Sequence, residues 1–534
     1  MLAYNSSMHS QAQITAPEAA DIAGLDPVQL LALVRSQGQA IAHLQHQLDW
    51  FKRQLFGAKS ERFIAPDPLQ MHLGEALPLP SEAPPPREKT IPAHTRKAAQ
   101  SNLAESEGES LPFFDESKVP VETIAVANEQ CAGLAVDQFK VIGEKISYRL
   151  AQRPASYVVL KYVRTVIKHI ETQKISCPAA PRSVIEGSRA DVSVCAGLLV
   201  DKFVYHQPLY RQHQKLDHNG IRVSRPWLTQ IAKACIALLE PIYDSQFDSI
   251  RASRVIAMDE TAIKAGHDKG KMKAAYFWPV YGDRDEVCFP FFTSRAHECV
   301  VNALGVTPAS GSVLLSDGYA AYASYAKKTG LTHAQCWAHT RREFFEAQAA
   351  DPDAAAKALE QIGQIYAIEK HIREHKLSGQ AKREHRLEHS KPVLDVFFDW
   401  IDRQFQRQGL LPSNPFTKAL AYARERRVGL EVFLTDPEVP VDTNHLERAL
   451  RVIPMGRKNW LFCWTELGAK QVGIVQSLIA TCRLHNVDPY TYLVDVLQRV
   501  GQHPASRVSE LTPRLWKQHF GDNPLRSDLY KIGA

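Results

Sequence analysis

No two of the nine cysteines stand in a C-x-x-C pair, and their positions (131, 177, 195, 235, 288, 299, 336, 463 and 482) share no spacing. An odd count at irregular intervals makes a poor disulfide framework, so reduced thiols in a cytoplasm are expected. Also missing is any apolar run near the roughly 18 residues that a membrane helix needs, which argues against a membrane partner. The opening stretch "MLAYNSSMHSQAQ" has neither a basic start nor an apolar segment, so no secretory signal is expected. Charge of one sign is scarce too: a net +6 over 534 residues permits a polyanionic partner without requiring one. What is present, 45% hydrophobic and 23% charged residues, is the balance of an ordinary globular protein. The length exceeds one core, and about two to four domains are expected.

Residues 1–63 are expected to carry a helix. Asp26-Pro27 supplies an N-cap and a first helical residue, and Val34, Gln37, Ile41, Leu44, Leu48, Phe51 and Leu55 recur at alternating threes and fours. That seam suits either a coiled coil or an amphipathic helix packed on its own chain. Residues 64–120, with "LPLPSEAPPPREK", lack apolar periodicity and read as a Pro-rich linker. In 121–190, "SYRLAQRPASYVVLKYVRTVIKHIETQKISC" alternates well enough for two or three strands of a small β-rich domain. In 191–250, "PLYRQHQKLDHNGIRVSRPWLTQIAKACIALL" reads as a helix, a turn at Asn219-Gly220, and a second helix opened by Ser224 and Pro226. Such a pair is either a helix-turn-helix DNA reader or plain helical structure.

The runs "RVIAMD", "KAAYFWPVY" and "EVCFPFFTS" predict a three-strand meander. A helix ("HECVVNALG"), a fourth strand ("SVLLSD") and a fifth run ("THAQCWAH") follow, the last leading into the helix "TRREFFEAQAA". This is the order of a mixed α/β sheet of ribonuclease-H type. Residues 345–430 are helical and highly charged, and another helix begins at "DTNHLERALR".

Two of these strands end in a carboxylate, Asp259 and Asp317. In the expected sheet they lie side by side and parallel, so both acids emerge at the edge where open α/β sheets bind ligands. Adjacent carboxylates repel unless a cation sits between them, and Mg²⁺ accepts such ligands. Glu447, in the first turn of a helix capped by Thr443 or Asn444, is the candidate third acid; the alternative is a surface pair with Arg451 at i+4. Cys336 and His339 have C-x-x-H spacing with no second pair, which favours a core cysteine and a helix-start histidine over a ligand pair. The remaining possibility places His339 or Arg341 beside the acidic site, in contact with DNA. Arg341, Arg342, Arg448, Arg451, Arg457 and Lys458 flank the acids in sequence, with Trp460 among them. They are either DNA contacts, with Trp460 stacking on a base, or solvated helix faces.

"MDET", "LLSDGYAAY", "HAQCWAHTRREFFEA", "TNHLERALR", "GRKNWLF" and "NVDPYTYLVDVL" occur here in the order found in insertion-sequence-66 family transposases, and the chain resembles the large catalytic protein of such an element. The resemblance runs from "FKRQLFGAKSERF" to about Pro504. It implies a DDE-class DNA transposase with Asp259, Asp317 and Glu447 as catalytic and metal-binding triad. It further implies two Mg²⁺ or Mn²⁺ ions that assist phosphodiester cleavage and strand transfer.

The implied fold is multidomain α/β: a ribonuclease-H-like catalytic domain (251–344 and 431–470), interrupted by a helical insertion (345–430) and followed by a C-terminal helical region and tail (471–534). Its implied partners are DNA, as terminal inverted repeats and a target duplex, further copies of the chain, and small accessory proteins of the same element, in a bacterial cytoplasm near the nucleoid. Because no covalent intermediate is implied, Ser316 and Tyr319 read as structural. Family members carry a zinc-binding domain with two C-x-x-C pairs, whereas here Asn128 and Ala180 stand where partners of Cys131 and Cys177 would be. Even with His169 as a third ligand the set is incomplete, so structural zinc is not expected. The rival readings are a transposase-derived DNA-binding protein without catalysis and a structure-selective nuclease of the same fold.

Overall fold

The computed structural model describes residues 113–532, apart from 132–134, 136–137, 154–155, 269–270, 408–409 and 462, together with Pro27 and Val34. Apart from those two residues, the expected N-terminal helix and most of the linker lie outside the described residues.

The β-branched and aromatic run after residue 138 forms a long antiparallel hairpin of β2 (Phe139–Arg153) and β3 (Ser156–His169). On the other side of β3 runs β1 (Val121–Val126), parallel to it, and β4 (Ile175–Ser176) extends its end. Three helices follow. Asp191 opens α1 (Val192–Phe203) by accepting a hydrogen bond from the Ser193 amide. The expected helix pair is α2 (Leu209–His218) and α3 (Arg225–Arg251), joined through Gly220 at φ +81°. Ser224 caps α3, accepting from the Trp227 amide at 3.3 Å.

Five strands make the sheet that carries the acids, in the order β12-β11-β5-β8-β9. These are β5 (Val255–Met258), β8 (Val280–Gly282), β9 (Val287–Cys288), β11 (Val313–Ser316) and β12 (Thr332–Gln335). As expected, β5 and β11 pair in parallel; β12 pairs parallel to β11, whereas β8 runs antiparallel to both β5 and β9. The expected three-strand meander is present as β5, β8 and β9, one strand from each run, but the runs hold more strands than expected. A separate hairpin of β6 (Thr261–Asp268) and β7 (Lys271–Phe277) intervenes, and β10 (Phe291–Phe292) joins β7 rather than the main sheet. Prolines cause the division. Pro279 separates β7 from β8 and Pro290 separates β9 from β10, because a residue without an N–H cannot continue a ladder.

The helices α4 (His297–Leu304), α5 (Ala320–Thr329) and α6 (Trp337–Glu346) flank this sheet; α5 had no counterpart in the sequence reading. Next come α7 (Pro352–Glu374), α8 (Gly379–His385) running into a π turn (Arg386–Ser390), α9 (Lys391–Phe405), α10 (Pro415–Glu425) and α11 (Arg427–Thr435). Their centre is aromatic: Trp337 of α6 meets Phe397 at 5.6 Å, and Phe344 meets Phe416 at 6.2 Å. The chain then returns to the sheet through α12 (Asn444–Leu450) and α13 (Val452–Gly456), and finishes with α14 (Glu466–Leu484), α15 (Pro489–Arg499) and α16 (Pro513–His519). No helix among the described residues is long and apolar enough to cross a membrane.

Candidate active site

All four residues of β5 and all four of β11 are buried, and each strand is followed at once by an aspartate at the same edge. Leu315 pairs with Ala257, so continuing the parallel register two residues carries Asp317 opposite Asp259. Local bonds fix both acids. Asp259 accepts from the Glu260 amide at 2.8 Å, and Asp317 accepts from the Tyr319 amide at 2.9 Å.

Glu447 arrives from the other side on α12. Thr443 occupies the N-cap position but makes no side-chain cap; Asp442 does that work, accepting from the Asn444 amide at 3.0 Å. The buried Cys336 sulfur accepts from the Thr443 amide at 3.3 Å, and the Trp337 amide donates to the Val441 carbonyl at 3.1 Å. These bonds dock the start of α12 on the start of α6, so the first turns of two helices face one cleft. Cys336 is thus the expected core cysteine. His339 is in the first turn of α6, as expected, but it also lines the acidic cleft.

The cleft has a volume of about 530 Å³, and Asp259, Asp317 and Glu447 all line it. Ligand atoms of Asp259, His339 and Glu447 lie within 4.8 Å of one another. Burial pushes the Asp259 carboxyl up to about 7, and the neighbouring carboxylates of Glu260, Asp317 and Glu447 add to the shift. Glu447 Oε1 and His339 Nδ1 are buried without a hydrogen-bond partner. Arg342, at 4.0 Å from that same oxygen, offers only a long ion pair. Two orphaned polar atoms in a cleft with a carboxyl that burial pushes up are costly in isolation and suit a divalent cation. No ion is present.

The cleft wall contains residues that the sequence did not mark. Glu260, whose side chain is 4% exposed, pairs with Arg295 and accepts from Tyr322 Oη at 2.6 Å. Arg295 lies over the Tyr319 ring at 4.2 Å, and its carbonyl accepts from the Tyr319 hydroxyl. A cation is thereby fixed at the rim. Ser316 is fully buried and within 2.8 Å of His333 Nε2, which agrees with a structural role. Gly318 sits beneath the end of α10. Its amide donates to Tyr422 Oη at 3.1 Å, and an added Cβ would come within 2.5 Å of Arg426 Nε.

Of the basic residues named from sequence, Arg342 and Arg451 line the cleft. Arg341, Arg448, Arg457 and Lys458 are exposed but do not line it. Trp460 requires a correction: it is fully buried, against Phe203 at 5.7 Å and His206 at 5.6 Å, with Trp464 beyond. Its bulk anchors the loop after α13 to α1, so no ring face is free for a base. In the small β-rich region Cys131 and Cys177 are half-buried free thiols, and the Asn128 amide donates to Ser176 Oγ at 3.3 Å, joining the two loops.

Residues 187–471, more than half of the chain, match the family model described as transposase IS66 family. The chain belongs to the IS66 family of transposases. Residues 477–514 match the IS66 C-terminal element, and residues 43–106 match a model described as transposase C of IS166 homeodomain, across stretches read above as coiled helix and linker. Among similar curated proteins, the uncharacterized protein y4hP of Sinorhizobium fredii (strain NBRC 101917 / NGR234) is 27% identical over 509 residues, covering 90% of this chain and 89% of its own. A second uncharacterized protein of that strain, y4qI, is 28% identical over 519 residues and 92% of each chain.

Proposed function

We propose that this IS66-family chain is a DDE-class DNA transposase that cleaves element ends and joins them to target DNA, with Asp259, Asp317 and Glu447 as its catalytic acids. The observation that carries the reading is the meeting of three acids in one cleft: two in register at the ends of adjacent parallel strands, the third delivered by a helix about 130 residues further on. The order β12-β11-β5-β8-β9, with β8 antiparallel to its neighbours, supports a ribonuclease-H-like sheet interrupted by the helical segment 345–430.

Asp259 and Glu447, whose ligand atoms converge with those of His339, would hold Mg²⁺ or Mn²⁺, and Asp317, which lines the same cleft outside that converging group, would complete the acidic set. When bound, such ions activate the attacking oxygen and stabilise the leaving 3′-oxygen of a phosphodiester. Glu260 and Tyr319 hold the Arg295 guanidinium at the rim, where it would orient a backbone phosphate. Arg342 and Arg451 line the same cleft and supply further positive charge. The homeodomain-type match at 43–106 and the α2–α3 pair are the proposed DNA-reading parts, while the N-terminal seam is the proposed site of self-association.

The test is cleavage and strand transfer of DNA carrying the element's own ends, with Mg²⁺ or Mn²⁺, comparing the natural protein with Asp259→Asn and Glu447→Gln. Loss of product by at least about a hundredfold with DNA binding retained is expected. Equal product from all three removes the catalytic assignment. Binding without product from the natural protein would favour a transposase-derived binding protein.

A further inference from the structure

Away from the cleft, four histidines meet at the far end of α7. His371 and His375 are spaced i and i+4 at the end of α7, and His385 and His389 are spaced i and i+4 where α8 enters its π turn. That spacing puts each pair on one face of its helix, as a pair of helical metal ligands requires. Across the junction the rings follow one another in a row, the first two contacts stacked and the last tilted by 56°. His375 lies 3.8 Å from His371, His371 lies 4.9 Å from His385, and His385 lies 4.3 Å from His389.

We propose that His371, His375, His385 and His389 form a second metal site, taking a borderline divalent ion such as Zn²⁺, Ni²⁺ or Cu²⁺ and clipping α7 to the π turn. Imidazole nitrogens suit these ions and suit Mg²⁺ poorly, so the site is chemically distinct from the carboxylate cleft. His375 Nδ1 lies 3.0 Å from the His371 carbonyl. A carbonyl can only accept, so Nδ1 carries the proton and the Nε2 lone pair is left free, the orientation that bound histidines usually have.

The two arms are already fixed at their bases. Arg386, which is 1% exposed and follows His385, binds Glu369 of α7, two residues before His371, through Nε at 2.7 Å and Nη2 at 2.9 Å. The π turn is itself unusual, and such turns recur at functional sites. His371, His375 and His389 are exposed, so their rings can turn from the stacked arrangement toward a common ion without disturbing the core. The proposal does not depend on the catalytic reading.

The experiment is Cu²⁺ and Zn²⁺ titration of the full chain in an Asp259→Asn background, which weakens the cleft, against the same chain with His371→Ala and His385→Ala. The four-histidine protein is expected to bind one ion with a multiple-nitrogen copper EPR signature and a raised melting temperature, and excess Mg²⁺ should not displace it. The double variant should lose at least about tenfold in affinity. His375→Asn serves as a second, milder probe and should weaken binding in the same direction. Equal affinity in all variants, or a copper signal without nitrogen ligation, overturns the proposal.

Discussion

Asp259 lies in a partly dry cleft with other carboxylates facing it, and burial before any neighbouring charge pushes it up to about 7. Above its ordinary carboxylate range and below 7, the folded chain holds a proton that the unfolded chain has released, so the metal-free fold loses stability as pH rises through that window. A cation must displace the same proton. Affinity for Mn²⁺ is therefore expected to rise about tenfold per pH unit below 7 and to level off above it, with roughly one proton released per ion. Calorimetry in two buffers of different ionisation enthalpy measures that proton directly; a pH-independent affinity with no release would remove Asp259 from the ligand set. The two aspartates were legible because an apolar strand that ends in a carboxylate is a strong local signal, whereas the spacing around Glu447 fitted a surface pair with Arg451 as well, and only the resemblance singled it out. His339 was only a secondary possibility, since one histidine at a helix start has no periodicity to mark its neighbours. Glu260 and Arg295 were not legible at all. They meet across 35 residues, and only the folded path between β5 and α4 brings them together.

At the scale of elements, proline decided where the reading failed. The runs "KAAYFWPVY" and "EVCFPFFTS" look continuous in hydrophobicity, yet each is cut by a residue that cannot donate to a ladder, and the freed halves pair in different sheets. The helix after Asn219-Gly220 fared better, because the cap Ser224 and the first-turn Pro226 are local signals. What no local pattern marks is how the helical segment returns the chain to the site. Arg386 performs part of that work: besides Glu369 it donates to the carbonyls of Phe433 at 2.8 Å and Val439 at 3.1 Å, on the path leading into α12. Replacing it with Met leaves a buried carboxylate and several carbonyls unpaired, and a loss of about 3–5 kcal/mol is expected by urea denaturation. Adding Glu369→Leu should restore part of that loss and not all, because the carbonyls stay without a donor. A double variant as unstable as Arg386→Met alone would show that the carbonyls, not the ion pair, carry the effect.

Over the whole molecule, one apolar cluster runs from Phe114 to Trp516, through segments that the sequence reading treated as separate units. The junctions are polar as well as apolar. Buried Gln246 of α3 donates to the Val287 carbonyl at 2.9 Å and to Thr481 Oγ1 of α14 at 3.0 Å, and the Phe289 amide donates to Ser477 Oγ at 2.8 Å. At Gly473 a Cβ would come within 2.3 Å of the Phe289 carbonyl, so α14 lies as close to the sheet as its backbone allows. The helix read as the start of a C-terminal region therefore covers the edge of the sheet that holds Asp259. A chain ending at residue 470 would expose that face, strand the amide of Phe289 and leave Gln246 with the Val287 carbonyl but without Thr481. It is expected to lose cooperative thermal unfolding and Mn²⁺ binding together, as read by calorimetry and metal titration. A truncated chain that still melted in one sharp transition near the full-length temperature would show that the sheet stands without α14, and that the shared core is contact rather than support.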